Sequence, residues 1–235
     1  NSDLLEKLAD VKQGLATANN DRFIRRWFEI DLRRIGFSCL NCQEAIASKR
    51  RWFPYTKGGD FRKWYGNNEY VVNWENDGCE IKNFADEEGN IRSAVRNPSY
   101  YFKSGITYGL ISTFGFSARR VFGGSIFDVG GSMIFPNIPT DTLLGFLCSK
   151  VATCIISILN PTLNFQVGDV VRLPILKDAF KPDFAVSCSE LVAIARVDWD
   201  NSETSWDFVD LPLLRAGTKD ATLAASWEAW HDQSA

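Results

Sequence analysis

The twenty residues "KRRWFPYTKGGDFRKWYGNN", Lys49 to Asn68, hold six basic side chains, six aromatic rings and a Gly-Gly pair beside a single acid. Arg50, Arg51, Lys57, Arg62 and Lys63 carry the positive charge that neutralises phosphates. Gly58 and Gly59 lack a Cβ, so the backbone there can approach a ligand closely with its N–H groups exposed. Tyr55, Phe61, Trp64 and Tyr65 can stack on bases or wedge against sugars, and Asn67 and Asn68 offer the donor–acceptor pair that reads adenine in the major groove. Cations and rings interleaved in this way suit a nucleic acid better than a protein or a lipid. The plain structural alternative is a β-hairpin whose rings fill a core and whose charges are solvated.

Catalytic chemistry is harder to find. The chain has no G-x-x-x-x-G-K-[ST] phosphate loop and no G-x-G-x-x-G fingerprint. Its one histidine, His231, sits near the far end, which disfavours a Ser-His-Asp or Cys-His arrangement. The acids are scattered or gathered late in the chain, not clustered as a two-metal site requires. Cys39-Leu40-Asn41-Cys42 has the spacing of half a zinc site, but no second Cys-x-x-Cys follows, and no metal is expected. "RNPSYYF", Arg96 to Phe102, comes close to the Asn-Pro-Pro-aromatic signature of adenine-N6 methyltransferases, with Ser99 in place of the second proline. It reads better as a turn begun by Asn97-Pro98 that exposes Tyr100 or Tyr101.

These residues need a scaffold, and the composition supplies one. With 235 residues, 45% hydrophobic and 13% aromatic, the chain has enough apolar side chain for one large core or two modest ones. The net charge of -3 hides an asymmetry: from Asp183 onward ten acids face three bases, and the preceding residues carry 23 bases against 19 acids. Six cysteines in a chain of this size point to a reducing, cytoplasmic setting and not to a disulfide framework. The first residues are charged and amphipathic, unlike a signal peptide, and suggest a start within a longer polypeptide. The longest apolar run, Leu143 to Leu159, is interrupted by Ser149-Lys150, so no membrane association is expected.

Leu4, Leu5, Leu8 and Val11 have helical spacing, which predicts a helix over residues 2–12, within a linker covering 1–18. A second helix is expected from the Asn19-Asn20-Asp21 cluster to about Ile35. "EYVVNW", "GITYGLIST", "GFSARRV", "SIFDV" and "SMIF" then carry strand signals separated by glycine, proline and asparagine. Pro139-Thr140-Asp141 caps a long helix to about Leu159, "FQVGDVVRLPIL" reads as a strand pair or extended segment, and helices are expected over 183–197 and 221–231. The class expected is α+β: a twisted, mostly antiparallel sheet with flanking helices over 19–180, and a helical acidic segment over 181–235.

"KRRWFPYTKGGDFRKWYGNNEYVVNWENDG", "RNPSYYFKSGITYGLIS", "FSAR" and "LLGFLCSKVATCIISILNPTLNFQVGDVVRLPIL" together resemble the C-terminal specificity region of the PglX family, the adenine-specific DNA methyltransferases of BREX phage-defence systems. "DWDNSETSWDF" is similar to the segment that follows the recognition domain in that family. More distantly, "GLATANNDRFI" resembles the linker of type IIG restriction-modification enzymes, where a glycine usually stands at the position of Ala18. The resemblance implies a DNA target-recognition domain whose partners are double-stranded DNA and the methyltransferase domain of the same polypeptide. It also implies that S-adenosylmethionine serves the parent protein and that no cofactor binds this part. The basic–aromatic stretch would form part of the DNA cleft, with Arg96, Tyr100, Lys103, Arg119 and Arg120 as supporting contacts. The competing expectation is a protein-interaction scaffold, whose acidic C-terminal part meets other defence-system proteins or a phage inhibitor that mimics DNA.

Overall fold

The structure is a computed structural model that describes residues 2–176 and 182–234. The N-terminal half runs β1 (Ser2–Leu4), β2 (Ala9–Lys12), α1 (Asn20–Phe23), β3 (Ile24–Arg26), α2 (Cys42–Ala47), β4 (Trp52–Thr56), β5 (Tyr70–Asn73) and α3 (Glu75–Lys82). Four strands follow: β6 (Gly105–Tyr108), β7 (Ala118–Val121), β8 (Ile126–Phe127) and β9 (Met133–Pro136). Next come α4 (Thr140–Cys148), α5 (Lys150–Leu159), α6 (Val167–Val170), β10 (Pro174–Leu176), α7 (Pro182–Asp200) and α8 (Leu223–Ser234). Strands β2, β9, β6 and β7 make an antiparallel sheet in that order. A second sheet runs β3, β5, β4, β8 and is antiparallel except where β8 joins β4. The fold is α+β, as expected.

Alternation along single strands distributes the chain among three apolar clusters. On β9, Ile134 packs into a cluster with Leu5, Val11, Tyr108, Leu143, Leu147 and Ile156, whereas Met133 and Phe135 point into another with Phe23, Phe53, Tyr55 and Trp74. On β4, Phe53 and Tyr55 share that second cluster, and Trp52 turns to a smaller third one with Ile35 and Val71. The five residues of β4 are all buried, so the basic–aromatic stretch passes from exposed Lys49 and Arg50 straight into the interior.

The N-terminal segment departs from the helix expected there. Residues 2–12 form strand, 3-10 turn and strand, because Ala9 and Val11 are buried while Asp10 is exposed and Lys12 half-exposed. That period of two pairs β2 with β9, and β1 pairs with β10, so long-range ladders outweigh helical spacing. The expected helix from Asn19 stops at Phe23. The Asn19 side chain accepts the Arg22 N–H as a cap, and Ile24 to Arg26 then join β5. The long helix after Pro139 is two helices bent by 69° at Ser149, whose hydroxyl accepts the Ala152 N–H and starts α5.

Helix α7 lies against α4, where Gly145 is required: a Cβ there would lie 2.7 Å from the Phe184 ring and still nearer the Cys188 sulfur. The expected boundary between residues 180 and 181 lies outside the described residues. Among the described residues no single helix is long and apolar enough to cross a membrane.

Candidate nucleic-acid interface

The basic–aromatic stretch is largely engaged with the protein itself. Tyr55 is 1% exposed and its hydroxyl donates to Asp128 Oδ2 at 2.6 Å. Burial, with the Asp128 charge, raises its pKa well above the usual phenol value. Gly58 does not offer open backbone, because a Cβ there would sit 2.6 Å from the Gly130 carbonyl oxygen. Its carbonyl accepts from Arg119 Nη2 at 3.0 Å. Gly59 is exposed with φ of 91°, beside Asn67, whose amide donates to the Asp60 carbonyl at 2.8 Å and closes the loop.

The cations of the stretch divide by partner. Arg51 lies over the Trp52 ring and within 3.8 Å of Glu75 and Glu80. Arg62 reaches α7, with Nη1 3.0 Å from Asp198 and its guanidinium over Trp199. Lys63 donates to the Cys148 carbonyl at 2.6 Å, at the C-terminus of α4, where the helix dipole favours a cation. Trp64 has φ of 71° and exchanges backbone hydrogen bonds with β7, donating to the Ala118 carbonyl and accepting from Arg120. Lys57 lies 5.5 Å from the Tyr70 ring, and Arg50 is exposed. Arg119 is 1% exposed, and burial with Arg62 nearby pulls its pKa down to about 10.

Of the remaining candidates, Tyr65, Asn68, Tyr100, Lys103 and Arg120 converge elsewhere, on the two sides of Phe122. This ring is 53% exposed at the end of β7 and separates two depressions. The first, about 380 Å³, is walled by Phe37, Tyr65, Trp206 and Phe122, with Asn68, Arg120 and Arg196 at its edges. The guanidiniums of Arg120 and Arg196 lie 5.1 and 5.6 Å from the Phe122 ring centroid. Arg120 is held by the Gly105 and Val121 carbonyls, both at 2.9 Å, and by Asp141 at 3.2 Å. Burial pushes the Tyr65 phenol up to about 12, so it stays a neutral donor.

The second depression, about 560 Å³, lies between Phe122, Tyr100, Lys103 and Phe135. The Tyr100 hydroxyl donates to Asp10 at 3.0 Å, and Lys12 and Lys103 both lie over its ring. Hydrogen bonds from Lys12 and then Tyr100 hold the Asp10 carboxyl below its ordinary pKa. Arg96 is exposed, apart from these groups, beside Gln13 and Gln166. Asn97 donates its amide to the Gln13 carbonyl at 2.9 Å from a left-handed backbone with φ of 51°. That bond fixes the orientation of the Asn97 side chain through its nitrogen.

Sequence reasoning passed over Phe122 and Arg196. Phe122 stands two residues after the Arg119-Arg120 pair and precedes Gly123-Gly124, which marks the end of a strand. Arg196 and Trp206 belong to the acidic part of the chain, and only folding brings them to Tyr65 and Phe37.

No family model matches the chain. It is 36% identical over 236 aligned positions to the adenine-specific methyltransferase PglX of Lacticaseibacillus casei (strain Zhang), covering 98% of this chain and 19% of that protein. It is 38% identical over 208 positions to the adenine-specific methyltransferase BrxX of Escherichia coli O9:H4 (strain HS), covering 86% of this chain and 16% of that protein. The chain thus spans less than a fifth of the length of either relative.

Proposed function

We propose that this chain is the DNA target-recognition segment of a cytoplasmic, adenine-N6 DNA methyltransferase of a BREX phage-defence system. The observation that carries the reading is the alignment of 98% of the chain with 19% of a protein named an adenine-specific methyltransferase. A segment of that share leaves room for a catalytic part outside it. The division of labour follows from the chemistry of such a reaction: S-adenosylmethionine supplies the methyl group, and this sequence has neither a G-x-G-x-x-G loop nor the full Asn-Pro-Pro-aromatic signature, Ser99 standing where the second proline would be.

What these residues suit is holding duplex DNA. Lys103 and Arg96 are exposed cations for phosphates, and Phe122, half out of the surface between two depressions, is a ring for stacking or wedging at a base step. Asn68, Tyr65 and Arg120 stand at the polar edge of the first depression, where hydrogen bonds to base edges give specificity.

The test is a titration of duplex DNA against salt. Affinity falls steeply as salt rises, Phe122→Ala weakens binding by about 1–3 kcal/mol, and Lys103→Ala lowers the salt slope by about 1. Both variants keep their folding midpoints, because their side chains are exposed. No duplex affinity at low salt, with site-specific methylation unchanged when the full-length enzyme carries both substitutions, overturns the reading.

A further inference from the structure

Helix α5 has an apolar face that nothing among the described residues covers. Ala152 and Ile156 are buried on its inner side, 0% and 1% exposed. On the outer side Val151 is 60% and Ile158 76% exposed and Cys154 is exposed, while Ile155 is half-buried against the core. The exposed three stand at i, i+3 and i+7, a spacing of anchors that seat a helix in a partner's groove. A helix face left to water normally carries charge, but α5 has no charged residue after Lys150.

The surroundings extend the same character. Ile111 and Phe114 are 64% and 79% exposed on the loop before β7, and Leu163 is 53% exposed just after α5. Ser112 N–H donates to the Leu163 carbonyl at 3.1 Å, and a Cβ on Gly115 would stand 3.5 Å from Thr153, so this loop is packed against the helix. Exposed apolar side chains gathered in this way mark a contact surface. A polyanion is a poor occupant, since the stripe offers it no cation.

We propose that this outer face of α5 docks the remainder of the longer polypeptide to which the chain belongs, through an apolar surface on that remainder. The proposal rests on the reading of the chain as a segment of a larger methyltransferase. More than four-fifths of each relative's length lies outside the share that this chain spans, which supplies the occupant in the same molecule and at high effective concentration.

Cys154 lies within the stripe and reports its coverage. The experiment compares maleimide labelling of Cys154, resolved by peptide mass spectrometry, in the 235-residue chain and in the full-length polypeptide that carries it. Exposed Cys79 is followed in the same digests as a reference thiol. The expected result is Cys154 labelling slowed about ten-fold or more in the full-length polypeptide at every protein concentration, as for a site that reacts only on local opening. Ile158→Asp in the full-length polypeptide restores fast labelling, and the exposed position lets that variant fold. Equal rates in the two proteins overturn the proposal. So does protection of the short chain that grows with its own concentration, which assigns the face to a second copy. A protected Cys154 in a protein without duplex affinity keeps the docking face and removes only the DNA reading.

Discussion

The stretch from Lys49 to Asn68 and the surface around Phe122 contain the same kinds of residue and use them in opposite ways. In the stretch, Trp52, Phe53, Tyr55 and Tyr65 are buried, Arg51 and Arg62 meet carboxylates, and Lys63 meets a helix terminus. Around Phe122, the rings come from six separate parts of the chain, with Tyr65 the meeting point of the two regions, and Phe122 and Lys103 remain exposed. Rings and cations that lie close along the chain find partners in one another and in the core, because burying a ring outweighs displaying it. Phe122, which stands alone at the end of β7, stays available. Local density therefore marks where this protein holds itself together, and convergence marks where it can meet another molecule.

The largest expected effect breaks the comparison at its most buried member. Tyr55→Ala removes a ring from the second apolar cluster and leaves buried Asp128 without its hydroxyl donor, a cost of about 3–5 kcal/mol in urea unfolding. A loss as small as that of Phe122→Ala would mean that the stretch is not the structural half of the pair. Tyr55→Phe keeps the ring and loses the hydrogen bond, about 1–3 kcal/mol.

The contrast also shows what could be read from the sequence. The strands after Pro54 were legible, since "EYVVNW", "SIFDV" and "SMIF" combine β-branched and aromatic residues between glycine and asparagine breaks, and they lie at β5, β8 and β9. The N-terminal helix was not, because Leu4, Leu5, Leu8 and Val11 fit a helical period while β9 and β10, more than 120 residues away, impose a period of two. Ala18 is a subtler case: the related linkers usually have glycine there, and Ala18 adopts φ of 60°, the left-handed conformation that glycine favours. In the candidate site, residue types pointed to cations and rings, but which of them face inward depends on long-range packing. Tyr55 and Phe61 differ by only six positions, and one is 1% and the other 40% exposed.

A smaller effect is expected where the stretch holds the acidic helix. Arg62→Ala removes the pair with Asp198, whose side chain is 71% exposed, and the contact with Trp199. Solvent screens such a pair, so global stability changes by less than about 1 kcal/mol. Hydrogen exchange shows the difference better, with faster exchange confined to the end of α7. Exchange unchanged there would show that the stretch does not fasten the C-terminal part.

The smallest effect concerns Asp10, which holds Tyr100 at the edge of the second depression. The Lys12 and Tyr100 hydrogen bonds lower its folded pKa below the ordinary 3.8, so the carboxylate contributes stability above that value. That contribution is lost as pH falls through the folded pKa, and Asp10→Asn therefore lowers the urea midpoint slightly at pH 7 and progressively less as the pH is taken below 3.8. Tyr100 gives an independent readout of the same contact, because the Asp10 hydrogen bond is the first cause of its raised pKa. In Asp10→Asn the Tyr100 phenol titrates at lower pH, measurable by its absorbance. An unshifted Tyr100 titration would mean that Asp10 does not hold the ring, and would leave the second depression no better anchored than an exposed loop.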